Sequence, residues 1–133
     1  MTSAETSTGS RRLDAVVWIS GTLAAGSALM AVAHLGVEIP VLSVLGPGGD
    51  RAVIPAAIAF TIAAVLQGLT SLAVARRRPW GWPLGVLISA LVLVGAAMPF
   101  RGVVSAIGIV LAGAELALLL SGAARRSLLP AGR

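Results

Sequence analysis

The chain contains no cysteine, no lysine, no tyrosine and no asparagine, one histidine (His34) and one glutamine (Gln67). Without cysteine there are no disulfides, thiolate metal centres or cysteine nucleophiles. Without lysine no span can carry a retinal-type Schiff base, and one histidine cannot ligate a haem from both sides. Charge is the other scarcity. Only 11% of residues are charged against 57% hydrophobic, where a soluble domain carries about a quarter charged residues to cover its surface. The outside of this protein therefore faces something other than water, and lipid is the expected solvent.

The apolar residues fall into four stretches. Each approaches the roughly 20 residues that an α-helix needs to cross the hydrocarbon core. The predicted spans cover about 13–37, 52–75, 80–98 and 102–124. Residues 1–10, rich in Ser and Thr, read as a disordered tail, and 127–133 as a second short tail. Gly46-Pro47-Gly48-Gly49-Asp50 is a strong turn signal. The apolar run 41–45 before it is too short to span and is expected at the interface or against the bundle. Pro55 falls in the first turn of the second span, where a missing N–H is harmless. The predicted fold is all-α: an integral-membrane four-helix bundle of residues 11–126 with antiparallel neighbours.

The formal charge of +5 would suggest nucleic acid in a soluble protein. Here the arginines border apolar segments, so no nucleic-acid partner is expected, and topology and anionic lipid account for them. Arg11 and Arg12 precede the first span. Arg76, Arg77 and Arg78 separate the second from the third. Arg125, Arg126 and Arg133 follow the fourth. Those three regions share one side, and only Arg51 and Arg101 lie on the other. The positive-inside rule makes the arginine-rich side cytoplasmic, with both termini there and the protein multi-pass in a bacterial-type inner, or cell, membrane. Trp80 and Trp82 stand where an interfacial aromatic belt is expected. Ser10-Arg11-Arg12 and Ala31-Val32-Ala33 faintly suggest a cleaved leader, but the apolar stretch exceeds the roughly 7–15 residues of a signal core.

Polar residues inside the spans are few and therefore informative. Glu115 lies ten residues before Arg125, roughly 15 Å along a helix and near the bilayer midplane. A charge there costs about 2.5–3.5 kcal/mol even on lenient scales, so the carboxyl is expected to face the bundle interior, hydrogen-bonded or protonated. Counting the same depth into the other spans reaches Gln67, Ser89, and Thr22 or Ser20. The expectation is a polar layer in which all four helices place a hydrogen-bonding side chain at one level. It reads either as packing glue and subunit contact or as a proton or substrate site. Small residues at i, i+4 spacing, such as Ala64 and Gly68, Gly85 and Ser89, or Gly108 and Ala112, support close helix approach.

His34 and Glu38, four apart, share a helix face, and Asp50 could join them from the loop. They read as a wet polar cluster at the outer end and make a poor metal site, so neither metal nor cofactor is expected. No phosphate loop, GxGxxG, GxSxG or HExxH is present. In size and span number the chain resembles the small multidrug transporters, whose functional Glu lies in the first span; here that span has no acid at mid-depth. The expected function is a non-enzymatic accessory or scaffold protein that packs with other membrane subunits or with itself. The alternative is an oligomeric small transporter or proton-coupled carrier working through Glu115, and an intramembrane enzyme stands third.

Overall fold

A computed structural model describes residues 3–40, 52–98 and 100–129, with side chains from residue 9 onward. Among these residues the structure is entirely helical: α1 (Ser3–His34), α2 (Ile54–Ala75), α3 (Gly81–Ala97), α4 (Val103–Leu120) and the short α5 (Gly122–Leu128). α1, α2 and α4 are long and apolar enough to cross a membrane. α3, with 17 residues, is about 25 Å long.

The outward faces say what surrounds the bundle. Ile58, Ile62, Val65, Leu69 and Leu72 form one exposed stripe on α2, and Leu87, Leu91 and Val94 another on α3, continued by Met98 just past its end. The i, i+4, i+7 spacing that a water-soluble helix turns inward is here turned outward. The interior holds small and polar residues, including Ser20, Gln67, Thr70, Ser89, Ala112 and Glu115, beside large apolar ones such as Val16 and Leu119. This inversion marks membrane association.

α1 packs most extensively on α2, and α3 on α4; the two pairs join through α2–α3 and α1–α4. All four contacts are antiparallel. Ser71 of α2 donates to the Val17 carbonyl of α1 at 3.0 Å, while His34 and Phe60 meet at the other end. Gly81 and Gly85 face Ala73 and Thr70 in reverse order. Gly85 also touches Leu119, while Gly108 touches Ala96.

Helix ends depart from the sequence expectation in two places. α1 begins at Ser3, inside the segment expected to be disordered. The continuation has a packing partner: Gly9 is buried, and a Cβ there would lie 3.2 Å from the Ser127 hydroxyl. The fourth helix stops at Leu120 rather than near 124. Ser121 adopts an extended conformation, and its Oγ accepts from the Ala124 N–H at 3.4 Å, capping α5. α5 then folds back so that Ala124 and Leu128 join Leu13, Val16, Val74 and Leu119 in one apolar cluster. The run 41–45, Asp50 and Arg51 lie outside the described residues.

The α2–α3 turn is tied by a double backbone closure. The Arg77 N–H donates to the Val74 carbonyl at 2.9 Å and the Arg78 N–H to the Ala73 carbonyl at 2.8 Å. This is the left-handed helix stop, with Arg77 at φ 51° where glycine is usual. The next anchor is Trp82. Its indole N–H donates to the Leu119 carbonyl at 2.8 Å, satisfying an acceptor that the end of α4 leaves free, and the Arg125 guanidinium lies 5.7 Å above the ring. Trp82 thus ties α3 to α4 and is not only an interfacial residue; Trp80 is exposed. Trp82→Phe keeps most of the packing and loses the hydrogen bond, so unfolding of the purified protein should show a loss of about 1 kcal/mol.

Candidate functional site

The inward stripe of α4 is Ala112, Glu115 and Leu119, one residue per turn on a single face. α1 contributes Val16, Ser20 and Leu23, α2 contributes Gln67, Thr70 and Val74, and α3 contributes Gly85, Ile88 and Ser89. Glu115, Gln67, Ser20 and Ser89 are each 0% exposed. Ser20 Oγ donates to Glu115 Oε1, and Gln67 Nε2 donates to Glu115 Oε2 at 3.3 Å. Ser89 lies within reach of the carboxyl and donates its own proton to the Gly85 carbonyl at 2.7 Å. The four helices therefore meet at one polar level, around a carboxylate whose two oxygens both accept.

The close approach of α3 and α4 sets that level. A Cβ on Gly85 would lie 2.7 Å from Leu119 Cδ1 and 2.9 Å from Thr70 Cγ2. Gly85 is one turn before Ser89, and Leu119 one turn after Glu115. The missing side chain on one helix admits the leucine of the other, and the serine and glutamate one turn on are brought together. Other small-residue positions do no such work: Gly26, Gly68, Gly95 and Gly113 have open space where a Cβ would be.

Thr22, the alternative to Ser20 in the sequence reading, is not in the layer. It is exposed, and its hydroxyl donates to the Trp18 carbonyl of its own helix at 2.9 Å. Two residues along a helix is a rotation of about 200°, so Ser20 and Thr22 cannot share a face. Sequence reasoning missed Thr70 and Ser71. Thr70 is buried and donates to the Leu66 carbonyl at 2.9 Å, and Ser71 makes the cross-helix bond to α1. Their positions three and four residues after Gln67 are the signal that would have found them.

One atom of the layer is unsatisfied. Gln67 Oε1 is buried with no hydrogen-bond partner, although the same amide donates to Glu115.

The outer cluster is arranged differently from expectation. His34 Nδ1 lies 2.7 Å from the Met30 carbonyl, which makes it the protonated nitrogen and leaves Nε2 to accept from Arg101 at 3.4 Å. The ring packs on Phe60 with centroids 5.1 Å apart. Glu38 is exposed and Asp50 lies outside the described residues. The partner of His34 is thus Arg101, from the opposite pair of helices. Among the described residues no three His, Cys, Asp or Glu side chains are grouped to hold a metal.

No family model, curated protein or solved structure matches this chain. The reading of function therefore rests on the geometry alone. A second feature bears on it: an open apolar groove of about 350 Å³ between α1 and α2, lined by Ala28, Ala31, Val32, Leu35, Thr61, Ala64 and Val65.

Proposed function

We propose that the chain is a four-span membrane protein with both termini in the cytoplasm, acting as a non-enzymatic accessory or scaffold component. The observation that carries this reading is the closed interior. Glu115 finds its partners within one chain and is wholly buried, so the layer acts as glue that fixes helix register. The recognition surface is then lateral. The α1–α2 groove exposes Ala28 and Ala64, whose small side chains let another helix approach closely where apolar area alone gives no driving force. α3 is about 25 Å long, short of the roughly 30 Å hydrocarbon core, and Trp80, Trp82 and Arg76–Arg78 anchor its start at the interface. Arg11, Arg12, Arg125 and Arg126 lie at the same end of the bundle, which supports the cytoplasmic assignment.

The absence of cysteine makes the test clean. Val32→Cys, in the groove, should crosslink to a second copy or to another membrane protein in native membranes. Leu91→Cys, on the outer face of α3, should not. Equal crosslinking at both, or a monomer without partners by native mass spectrometry, would reject the scaffold reading. The second reading, an oligomeric proton-coupled carrier, is supported by the unpartnered Gln67 Oε1 beside the buried acid. It requires Glu115→Gln to abolish pH-dependent flux in proteoliposomes. An intramembrane enzyme has least support: Ser20 donates to Glu115, but the pair is wholly buried, with no opening among the described residues through which a substrate would reach it.

A further inference from the structure

We propose that the Glu115–Gln67–Ser20–Ser89 layer is a binding site for one small monovalent cation, sodium, taken up in exchange for the carboxyl proton. The inference does not depend on the scaffold reading, because a cation site can set the stability of a carrier or of a scaffold alike.

The first observation is the orphaned acceptor. Gln67 is wholly buried, its Nε2 is held by Glu115 Oε2 at 3.3 Å, and its Oε1 has no partner. A buried carbonyl oxygen left unpaired is costly, and this one sits on the same planar amide that contacts the carboxylate. What it lacks is a donor or a cation, and the carboxylate beside it, when ionised, lacks a counter-charge. One cation between them would satisfy both.

The second observation is the donor set. Two carboxylate oxygens of Glu115, Gln67 Oε1 and the hydroxyls of Ser20 and Ser89 make five oxygens from four helices, with no nitrogen or sulfur ligand. All-oxygen sites select hard cations over zinc or copper. Charge decides which. Glu115 is the one titratable side chain that is buried among the described residues. Toward it α1 turns Val16, Ser20 and Leu23, α2 turns Gln67 and Thr70, and α3 turns Gly85, Ile88 and Ser89. α5 adds only Ala124 and Leu128 to the interior, and its Arg125 lies over Trp82. His34 is at the far end of the bundle with Arg101. A single carboxylate is neutralised by a single positive charge. A divalent ion would leave a net charge in a low-dielectric interior, and magnesium would also have to keep several waters.

The exchange balances. The protonated carboxyl and Na⁺ become the carboxylate–Na⁺ pair, and the proton leaves to water. Loading turns Gln67 Oε1 and the serine lone pairs onto the ion, so the occupied bundle is held by four helices converging on one charge, whereas the protonated form is held by hydrogen bonds.

The test uses the full chain purified in detergent, unfolded by heat. Replacing choline chloride with about 200 mM sodium chloride at about pH 8 should raise Tm by about 3 °C or more, with a smaller rise at about pH 5.5, where protons compete. Gln67→Leu and Glu115→Gln should abolish the sodium-dependent rise. Equal Tm in the two salts at both pH values, or a rise retained in Glu115→Gln, would overturn the proposal. A second measurement needs no variant. Dicyclohexylcarbodiimide attacks protonated buried carboxyls, and sodium should slow its modification of Glu115, read by mass spectrometry, roughly tenfold. A rate that sodium leaves unchanged, zero included, would also overturn it.

Discussion

Gly81→Leu should separate the two helix pairs and cost more than about 3 kcal/mol, the upper range for overpacking. The position has no slack. Even a Cβ would lie 2.9 Å from the Ala73 Cβ and 3.2 Å from the Ala73 carbonyl carbon and the Val74 nitrogen. Two of those atoms are backbone, so no rotamer change relieves the clash and α2 itself has to move. The movement would also pull on the closure at Arg77 and Arg78, which holds the end of α2 to the Ala73 and Val74 carbonyls. The comparison that isolates packing from helix propensity is Gly113→Ala, where nothing lies within 4 Å. That change should be neutral or stabilising by up to about 1 kcal/mol. Denaturant or thermal unfolding of the purified variants measures both. Comparable losses at the two glycines would mean that propensity, not close approach, governs this bundle.

Glu115→Leu should cost about 2 kcal/mol or more, and Glu115→Gln less than about 1. Leucine fills the volume but removes both acceptors. The Ser20 hydroxyl and Gln67 Nε2 then join Gln67 Oε1 as unpaired groups in a buried interior. Glutamine keeps one acceptor and brings an amide N–H that can donate to Gln67 Oε1, so it repairs the existing defect while losing one bond. The difference between the two variants is thus a direct reading of polar satisfaction at nearly constant volume. Equal stability for both would show that the layer contributes no net hydrogen bonding, as an average membrane bond worth about 0.6 kcal/mol allows.

The helices themselves were legible in the sequence because lipid-compatible stretches and their arginine and proline boundaries are local features. α2 starts at Ile54 and α3 ends at Ala97, within two residues of the boundaries read from hydropathy. The depth count found Ser20, Gln67, Ser89 and Glu115, because helix rise converts residue number directly into height. It could not choose between Ser20 and Thr22, because height is blind to rotation about the helix axis. The count also could not see that Ser121 ends α4, since the apolar run continues past it and only the docking of Ala124 and Leu128 on Leu13 and Val16 makes the break worthwhile.

The outer cluster shows the limit of sequence spacing. His34 and Glu38 were read as one helix face that Asp50 could join, but α1 ends at His34 and Asp50 lies outside the described residues. The group that faces His34 is Arg101, sixty-seven residues away, brought there by the antiparallel packing of α1 and α4. Trp82 was placed at an interface by its neighbours in sequence, while its indole N–H was claimed by a carbonyl at the end of another helix.

What the sequence determined by itself is therefore the apolar, lipid-compatible helices and the heights: one acid at the same level as one amide and two hydroxyls. Tertiary structure decided the rotations and the partners. It turned Ser20 inward and Thr22 outward, seated Leu119 against Gly85, and left the oxygen of the amide that donates to Glu115 buried without a partner. The physical reason is that rise along a helix is fixed by the backbone of each segment alone. Which face turns inward, and what it meets there, depends on contacts between segments far apart in the chain.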